Sequence, residues 1–303
     1  MSIESAYIWM DGEFVPFADA KIHVLSHSLH YGLGVFEGIR SYEQPGGGGG
    51  VFKLDEHLRR LVDSAMMCRM ELNYTVEELR EACLDTLRKN EFSSAYIRPL
   101  VYLGMGGMGL GARNNPVHTS IIVWKWGAYL GDEGINNGIR VATSSFTRHH
   151  VNANLQRAKI TGHYVNSIMA RYEANDNGYD EAIMLDHSGY VAEGTGENLF
   201  IMRDGIVKTP PIVNILGGIT RKTAIEIMEH EGHTVKETPF GRDALYVADE
   251  IFMTGTAAEI TPIREVDRRP IGPPGPLTQM VQQTYLDGVR GRVDWMKDMI
   301  TTY

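Results

Sequence analysis

Residues 180–208 read DEAIMLDHSGYVAEGTGENLFIMRDGIVK. Through Glu193 this is a strand, a turn rich in Asp, Ser and Gly, and a second strand, because apolar runs of strand length flank residues that favour tight turns. Asp204-Gly205 then stands between further apolar residues, the pair best suited to the positive φ angles of a two-residue hairpin. Upstream, ITGHYVNSIMARYEANDNG (160–178) has helical length and closes on Gly178. Downstream, GGITRKTAIEIMEHEG (217–232) reads as a helix with Thr220 near its N-cap and Gly232 just past its end. IRVATSSF (139–146) supplies one more strand.

The N-terminal half repeats the mixture. In YIWMDGEFV (7–15), Asp11-Gly12 sits between apolar-rich flanks and signals a hairpin. DEHLRRLVDSAMMC (55–68) carries Leu58, Leu61, Val62 and Ala65 on one helical face, and Thr75 with Glu78 makes a capping box that opens another helix. SAYIRPLVYLG (94–104) and TSIIVWKW (119–126) read as strands. Around WGAYLGDEGINNG (126–138) the pattern breaks into Gly, Asn and acidic residues. The expectation is therefore two α/β domains of the α+β type: a smaller one over 1–125, a connecting loop over 126–136, and a larger one over 137–303. The run Gly46–Gly50 reads as a flexible loop tip, since no helix follows it.

At 303 residues the chain is long enough for two domains, and 43% hydrophobic with 22% charged residues is a globular composition. A net charge of -9 without a basic stripe argues against nucleic-acid partners. The start, with Glu4 and Asp11, lacks the layout of a signal peptide, and no apolar run reaches membrane-spanning length, so no membrane partner and a cytoplasmic location are expected. Cys68 and Cys83 lie fifteen positions apart in helical segments, which suits buried thiols; no metal site is expected.

Gly104, Gly106 and Gly109 formally match a dinucleotide-binding spacing, but LGARNNP follows instead of a helix, and the required acidic residue is missing. Residues 104–111 read as a flexible loop rich in Gly and Met. P-loop, HExxH and GxSxG motifs do not occur. Lys159, one of nine lysines, would by itself read as a surface residue.

Five separated blocks change that reading: SHSLHYGLGVFEGIR (26–40), RAKITGHYVNS (157–167), EGTGENLF (193–200), GGIT (217–220) and TGTAAEITP (254–262). Together, in this order, they resemble the fold-type IV pyridoxal-phosphate enzymes, most closely the branched-chain amino-acid aminotransferases. The resemblance implies a two-domain fold with pyridoxal 5′-phosphate between the domains and Lys159 as its Schiff-base lysine. A lysine amine serves there only when its surroundings favour the neutral or imine form. A carboxylate must keep the ring nitrogen protonated, and the resemblance gives that role to Glu193, with Glu197 as the competing residue. It makes Tyr164 the partner of the phenolic oxygen. It assigns the phosphate to Gly218, Ile219 and Thr220 at a helix N-terminus, to Thr256, and to Arg60, with Arg59 the alternative; an arginine can reach a phosphate through two N–H groups.

For substrate, Tyr96 and Arg98 alternate with Ile97 and so share one face of a strand. The resemblance implies that Tyr31, Arg98 and Tyr129 receive the side-chain carboxylate of glutamate. Tyr96 with the backbone of Thr256 and Ala257 would hold the α-carboxylate, and Phe36, Gly38 and Met108 would border the apolar pocket. The expected activity is reversible, ping-pong amino transfer from Leu, Ile or Val to 2-oxoglutarate, so amino acids and 2-oxo acids are the small-molecule partners. A homodimer or larger homo-oligomer is expected. D-amino-acid or (R)-amine transaminases and aminodeoxychorismate lyases are the rivals on the same fold; they would share Lys159 and Glu193 but lack the Tyr96/Arg98 pair. A binding protein without catalysis is the rival of another class. The pentaglycine run and the Met108-Gly109-Leu110 loop depart from the family pattern and bear on pocket volume.

Overall fold

The computed structural model describes residues 5–111, 113–127 and 129–303. The chain forms two compact units: Met1–Trp126 with Ala158–His163 and Gly288–Tyr303, and Gly127–Arg157 with Tyr164–Asp287. Two segments placed by sequence in the C-terminal domain, one of them carrying Lys159, thus belong with the first unit. Within the connecting stretch 126–136, Ala128 lies outside the described residues. The stretch is also not all loop: Gly131–Asn137 is a short helix, ended by Gly138 at φ 82°.

In the first unit an antiparallel sheet runs in the order Ile300–Thr302, Gly49–Phe52, Ile39–Glu43, Ala95–Leu103, Val117–Trp124, Tyr7–Met10, Glu13–Pro16, with Gly34–Phe36 also paired to Ala95–Leu103. Asp11 at φ 49° and Gly12 at φ 98° make the expected turn. Helices Leu54–Met67 and Val76–Lys89 bury Leu58, Leu61, Ala65, Leu79, Cys83 and Leu87 in a common core with Ile39, Ile97 and Val123. Thr75 closes the capping box: its N–H donates to Glu78 at 2.7 Å while its hydroxyl oxygen accepts from the Glu78 N–H at 3.2 Å. Only part of the glycine run is a loop tip. Gly49 and Gly50 are strand residues, and a Cβ at either would collide with Tyr303 or Ile300 of the C-terminal segment beside them. The segment 158–163 lies on the Gly34–Phe36 strand, where Phe36 N–H donates to the Lys159 carbonyl at 3.1 Å and Val35 bridges Ile160. That pairing is why the helix expected from residue 160 begins only at Tyr164, after a 3₁₀ turn over Thr161–His163.

The second unit is a mixed sheet in the order Val191–Gly194, Glu181–Leu185, Ile139–Thr143, Glu259–Val266, Glu250–Gly255, Asn198–Arg203, Ile206–Thr209, Val235–Glu237. Its parallel pairs are the two flanking Ile139–Thr143 and the one at Val235–Glu237. The Asp204-Gly205 hairpin forms with φ 51° and 73°. Stacked Phe200 and Phe252, 4.9 Å between centroids, join adjacent strands in its core. Helix Ile219–His230 has Gly218 as its N-cap; Thr220 is its second residue, inside the helix rather than at its cap. Among the described residues no helix is long and apolar enough to cross a membrane.

Candidate active site

In the first unit, helix Leu54–Met67 presents His57, Arg60 and Ser64 at three- and four-residue spacing, hence on one face. Glu37, which has no exposed surface, sits against them. It accepts Arg60 Nε at 2.6 Å, Arg60 Nη2 at 3.0 Å and His57 Nδ1 at 2.7 Å. Burial alone would raise the Glu37 pKa, but the charges and hydrogen bonds of Arg60 and His57 outweigh it and hold the carboxyl far below its ordinary value. Burial lowers the His57 pKa, and the neighbouring Arg60 and Lys159 lower it further against the pull of Glu37. The Ser64 hydroxyl oxygen accepts the Lys159 backbone N–H at 3.1 Å, so the same helix that carries Arg60 fixes the backbone of Lys159.

Phe36 is the common floor. Lys159 Nζ lies 4.9 Å from its ring centroid and Arg98 Cζ 4.6 Å. Arg98 also faces the rings of Tyr96 and Trp124 at 5.4 and 5.7 Å, and its Nη2 donates to the Tyr96 hydroxyl at 3.4 Å. Its Nε is buried without a hydrogen-bond acceptor among the described residues. Tyr96 is flanked by Trp124 and Trp126, at 4.9 and 4.6 Å. A side chain at Gly38 would collide with the Tyr96 hydroxyl, so the glycine leaves that phenol its place. Tyr31 ends the helix His27–Tyr31 and packs on the His27 ring at 4.5 Å. Met108 is exposed on the 104–111 loop. Taken alone Lys159 reads as a surface residue; in the fold it is half-buried over an aromatic floor, close enough to His57 to lower its pKa.

In the second unit, Glu193 is 4% exposed on the strand Val191–Gly194. Its Oε1 is 2.7 Å from Arg148 Nε, and its Oε2 accepts Asn198 Nδ2 at 3.1 Å and the Leu216 N–H at 3.3 Å. Asn198 also donates to the Leu216 carbonyl at 2.9 Å, which ties the carboxylate to the loop that leads into helix Ile219–His230. A Cβ on Gly218 would overlap Asn198, so only glycine fits there. Among the described residues no side chain caps this helix, which leaves the N–H groups of Ile219 and Thr220 as donors for an anion. Glu197 is also buried, and it accepts the N–H of its own neighbour Gly196 at 3.0 Å. Tyr164 is the first residue of its helix, and Thr256 and Ala257 form the turn between strands Glu250–Gly255 and Glu259–Val266. Tyr129 lies in this unit, with the Arg171 guanidinium 5.8 Å from its ring centroid.

Residues 34–266 match the model of the family described as amino-transferase class IV. The branched-chain-amino-acid aminotransferase of Pseudomonas aeruginosa is 50% identical over 97% of this chain and 96% of its own length. The chain belongs to this family. Among solved structures, the branched-chain amino acid aminotransferase of Escherichia coli superposes with a TM-score of 0.95 at 43% identity, covering 99% of both chains. A T.th. branched-chain amino acid aminotransferase with pyridoxamine 5′-phosphate gives 0.96 at 46% identity, again over 99% of both.

Within this class IV aminotransferase, sequence reasoning missed Glu37, His57, Arg148, Asn198 and Trp126. The three-residue spacing of His57 and Arg60, and the alternation of Trp126 with Trp124, were available signals. Arg148 had none, because only the fold brings it against Glu193 across 45 positions.

Proposed function

We propose that this protein catalyses reversible transfer of the amino group of leucine, isoleucine or valine to 2-oxoglutarate, with pyridoxal 5′-phosphate as its resident cofactor. The observation that carries the reading is the shared Phe36 floor. An amine, Lys159, and a guanidinium with an unused buried N–H, Arg98, both lie over one aromatic ring. The first suits amine chemistry, and the second suits an acidic side chain inside an otherwise apolar pocket.

The residues present fit the cofactor. The uncapped helix at Ile219 and Thr220, the Thr256 hydroxyl and the Arg60 guanidinium would hold its phosphate. Glu193, already fixed on three sides, would keep the ring nitrogen protonated, and Tyr164 would donate to the phenolic oxygen. When bound, the cofactor supplies an aldehyde that captures amines and a ring that withdraws electrons from the substrate α-carbon. Lys159 would hold it covalently at rest and, once released, would carry the substrate α-proton on Nζ. Tyr96 with the backbone N–H groups of Thr256 and Ala257 would hold the α-carboxylate. Arg98, with Tyr31 and Tyr129, would receive the glutamate side chain, while Phe36, Gly38 and Met108 border the apolar one. One product leaves before the next substrate binds, so the kinetics are ping-pong.

A homodimer or larger assembly, in the cytoplasm, completes the proposal. The support for assembly is apolar surface on neighbouring segments, with Leu29 64% and Leu110 93% exposed. The test is spectroscopic: leucine and glutamate should each convert the near-visible absorbance of the purified protein, and 2-oxoglutarate should restore it. Conversion by D-leucine but not L-leucine would overturn the reading in favour of a D-amino-acid transaminase.

A further inference from the structure

The loop 104–111, GMGGMGLG, contains five glycines and yet is held at several points, its last carbonyl, Gly111, by the Arg113 N–H at 2.8 Å. At its start, the His27 N–H donates to the Gly104 carbonyl at 3.1 Å, and Ser26 bridges Met105. In the middle, Asn115 Nδ2 donates to the Gly107 carbonyl at 3.0 Å. Beyond that, among the described residues, the distal arm 108–111 has one side-chain hydrogen bond, from His27 Nε2 to the Gly109 carbonyl at 2.9 Å. A carbonyl only accepts, so Nε2 carries the hydrogen in this contact. The ring's Nδ1 is buried and has no hydrogen-bond partner among the described residues.

A buried unpaired nitrogen is a cost, so a carbocyclic ring of about the same size would suit the packing of this position at least as well. What a phenyl ring cannot do is hold Gly109. We infer that His27 is a specificity-determining positioning residue: its Nε2–H holds the arm that carries Met108 and Leu110, while its ring supports Tyr31 at 4.5 Å. This rests on the proposed reading that Met108 borders the substrate side chain, and it deepens it. With nothing on Gly109, at φ 96°, an arm this rich in glycine gains conformational freedom at once, and a wall that moves gives little contact to a long apolar side chain.

The experiment compares His27→Phe, which keeps the ring, with His27→Gln, whose amide N–H reaches a similar point. In His27→Phe, KM for leucine should rise about two- to tenfold, the range for losing one neutral hydrogen bond. KM for 2-aminobutyrate, with its shorter side chain, and kcat for both should stay within about twofold. Amide hydrogen exchange over 108–111 should quicken several-fold, and melting temperature should hold or rise. His27→Gln should restore slow exchange and the leucine KM. Unchanged exchange in His27→Phe overturns the anchoring itself. Faster exchange with unchanged kinetics overturns the placement of Met108 at the substrate and leaves the transaminase reading standing; absence of leucine turnover in the unmodified protein overturns that reading instead. Should His27→Phe fail to fold, exchange and kinetics in His27→Gln and His27→Asn decide, because the shorter Asn cannot reach Gly109 and must behave as the loss.

Discussion

The two units solve the problem of holding charge in opposite ways. The first uses side-chain cations: Lys159 and Arg98 over Phe36, and Arg60 locked to a fully buried Glu37. The second uses backbone dipoles and one anchored anion: the uncapped N–H groups at Ile219 and Thr220, and Glu193 held by Arg148, Asn198 and Leu216. Cations on flexible stems over aromatic faces can move and exchange partners; amides in a helix cannot. The difference teaches that, on the proposed reading, the groups that must change partners, Lys159 and Arg98, belong to the first unit, and the fixed supports of the cofactor at Glu193, Ile219 and Thr220 to the second.

Removing the mobile amine should do the most damage. Lys159→Ala is expected to lower transamination at least about a thousandfold, since on the proposed reading it deletes both the covalent link and the proton carrier. Borohydride treatment should no longer fix cofactor to the protein, as read by mass spectrometry. Fixation at another lysine in this variant would break the assignment.

On the fixed side, Glu193→Gln should slow α-proton removal about a hundredfold, within the range for groups that stabilise a developing charge, while cofactor affinity changes little. Single-turnover rates with leucine measure the step. The same defect in Glu197→Gln, with Glu193→Gln fully active, would move the role to the second buried carboxylate of that segment.

Arg98 tests the mobile cation. Arg98→Leu should raise KM for glutamate and 2-oxoglutarate by about 2 kcal/mol, roughly thirtyfold, and alter KM for leucine far less, because the guanidinium already rests on three aromatic rings when no carboxylate is present. Equal losses with leucine and glutamate, measured as separate half-reactions, would show that Arg98 serves the α-carboxylate or the fold.

How much of this was legible follows the same division. Local signals read well: both Asp-Gly hairpins, the Thr75 capping box, and the shared face of Tyr96 and Arg98 depend on neighbours in sequence. The boundaries that failed were set by distant chain. Residues 160–163 have helical composition but lie against Val35 and Phe36, and Gly49 and Gly50 read as loop until the C-terminal strand lies beside them. At the site, the named groups rested on resemblance, while their supports were hidden. Nothing near Glu37 in sequence says that Arg60 and His57, twenty or more positions away, will surround it.

That triad gives the smallest and most diagnostic effect. Glu37 has its folded pKa depressed below its ordinary 4.5, and His57 has its own depressed below 6.5. Both signs agree: a depressed group stabilises the fold above its unfolded pKa and loses that stabilisation as pH falls through the folded one. As pH drops below about 6.5, the unfolded chain binds a proton at His57 that the folded chain refuses, so stability starts to decline. Below about 4.5 the unfolded chain also binds a proton at Glu37 that the folded chain refuses, so stability falls there too. One proton corresponds to at most about 1.4 kcal/mol per pH unit. His57→Asn keeps a side-chain N–H near the Nδ1 position but cannot titrate, so it should flatten the fall of unfolding free energy between about pH 6.5 and 4.5. The fall below about pH 4.5 should remain, because Glu37 still has Arg60. Parallel denaturant titrations of both proteins across that range measure it. Identical slopes over that window would mean that His57 is charged in the fold, making the triad two cations on one carboxylate and removing the neutral Nδ1–H donor from the account of how Arg60 is held.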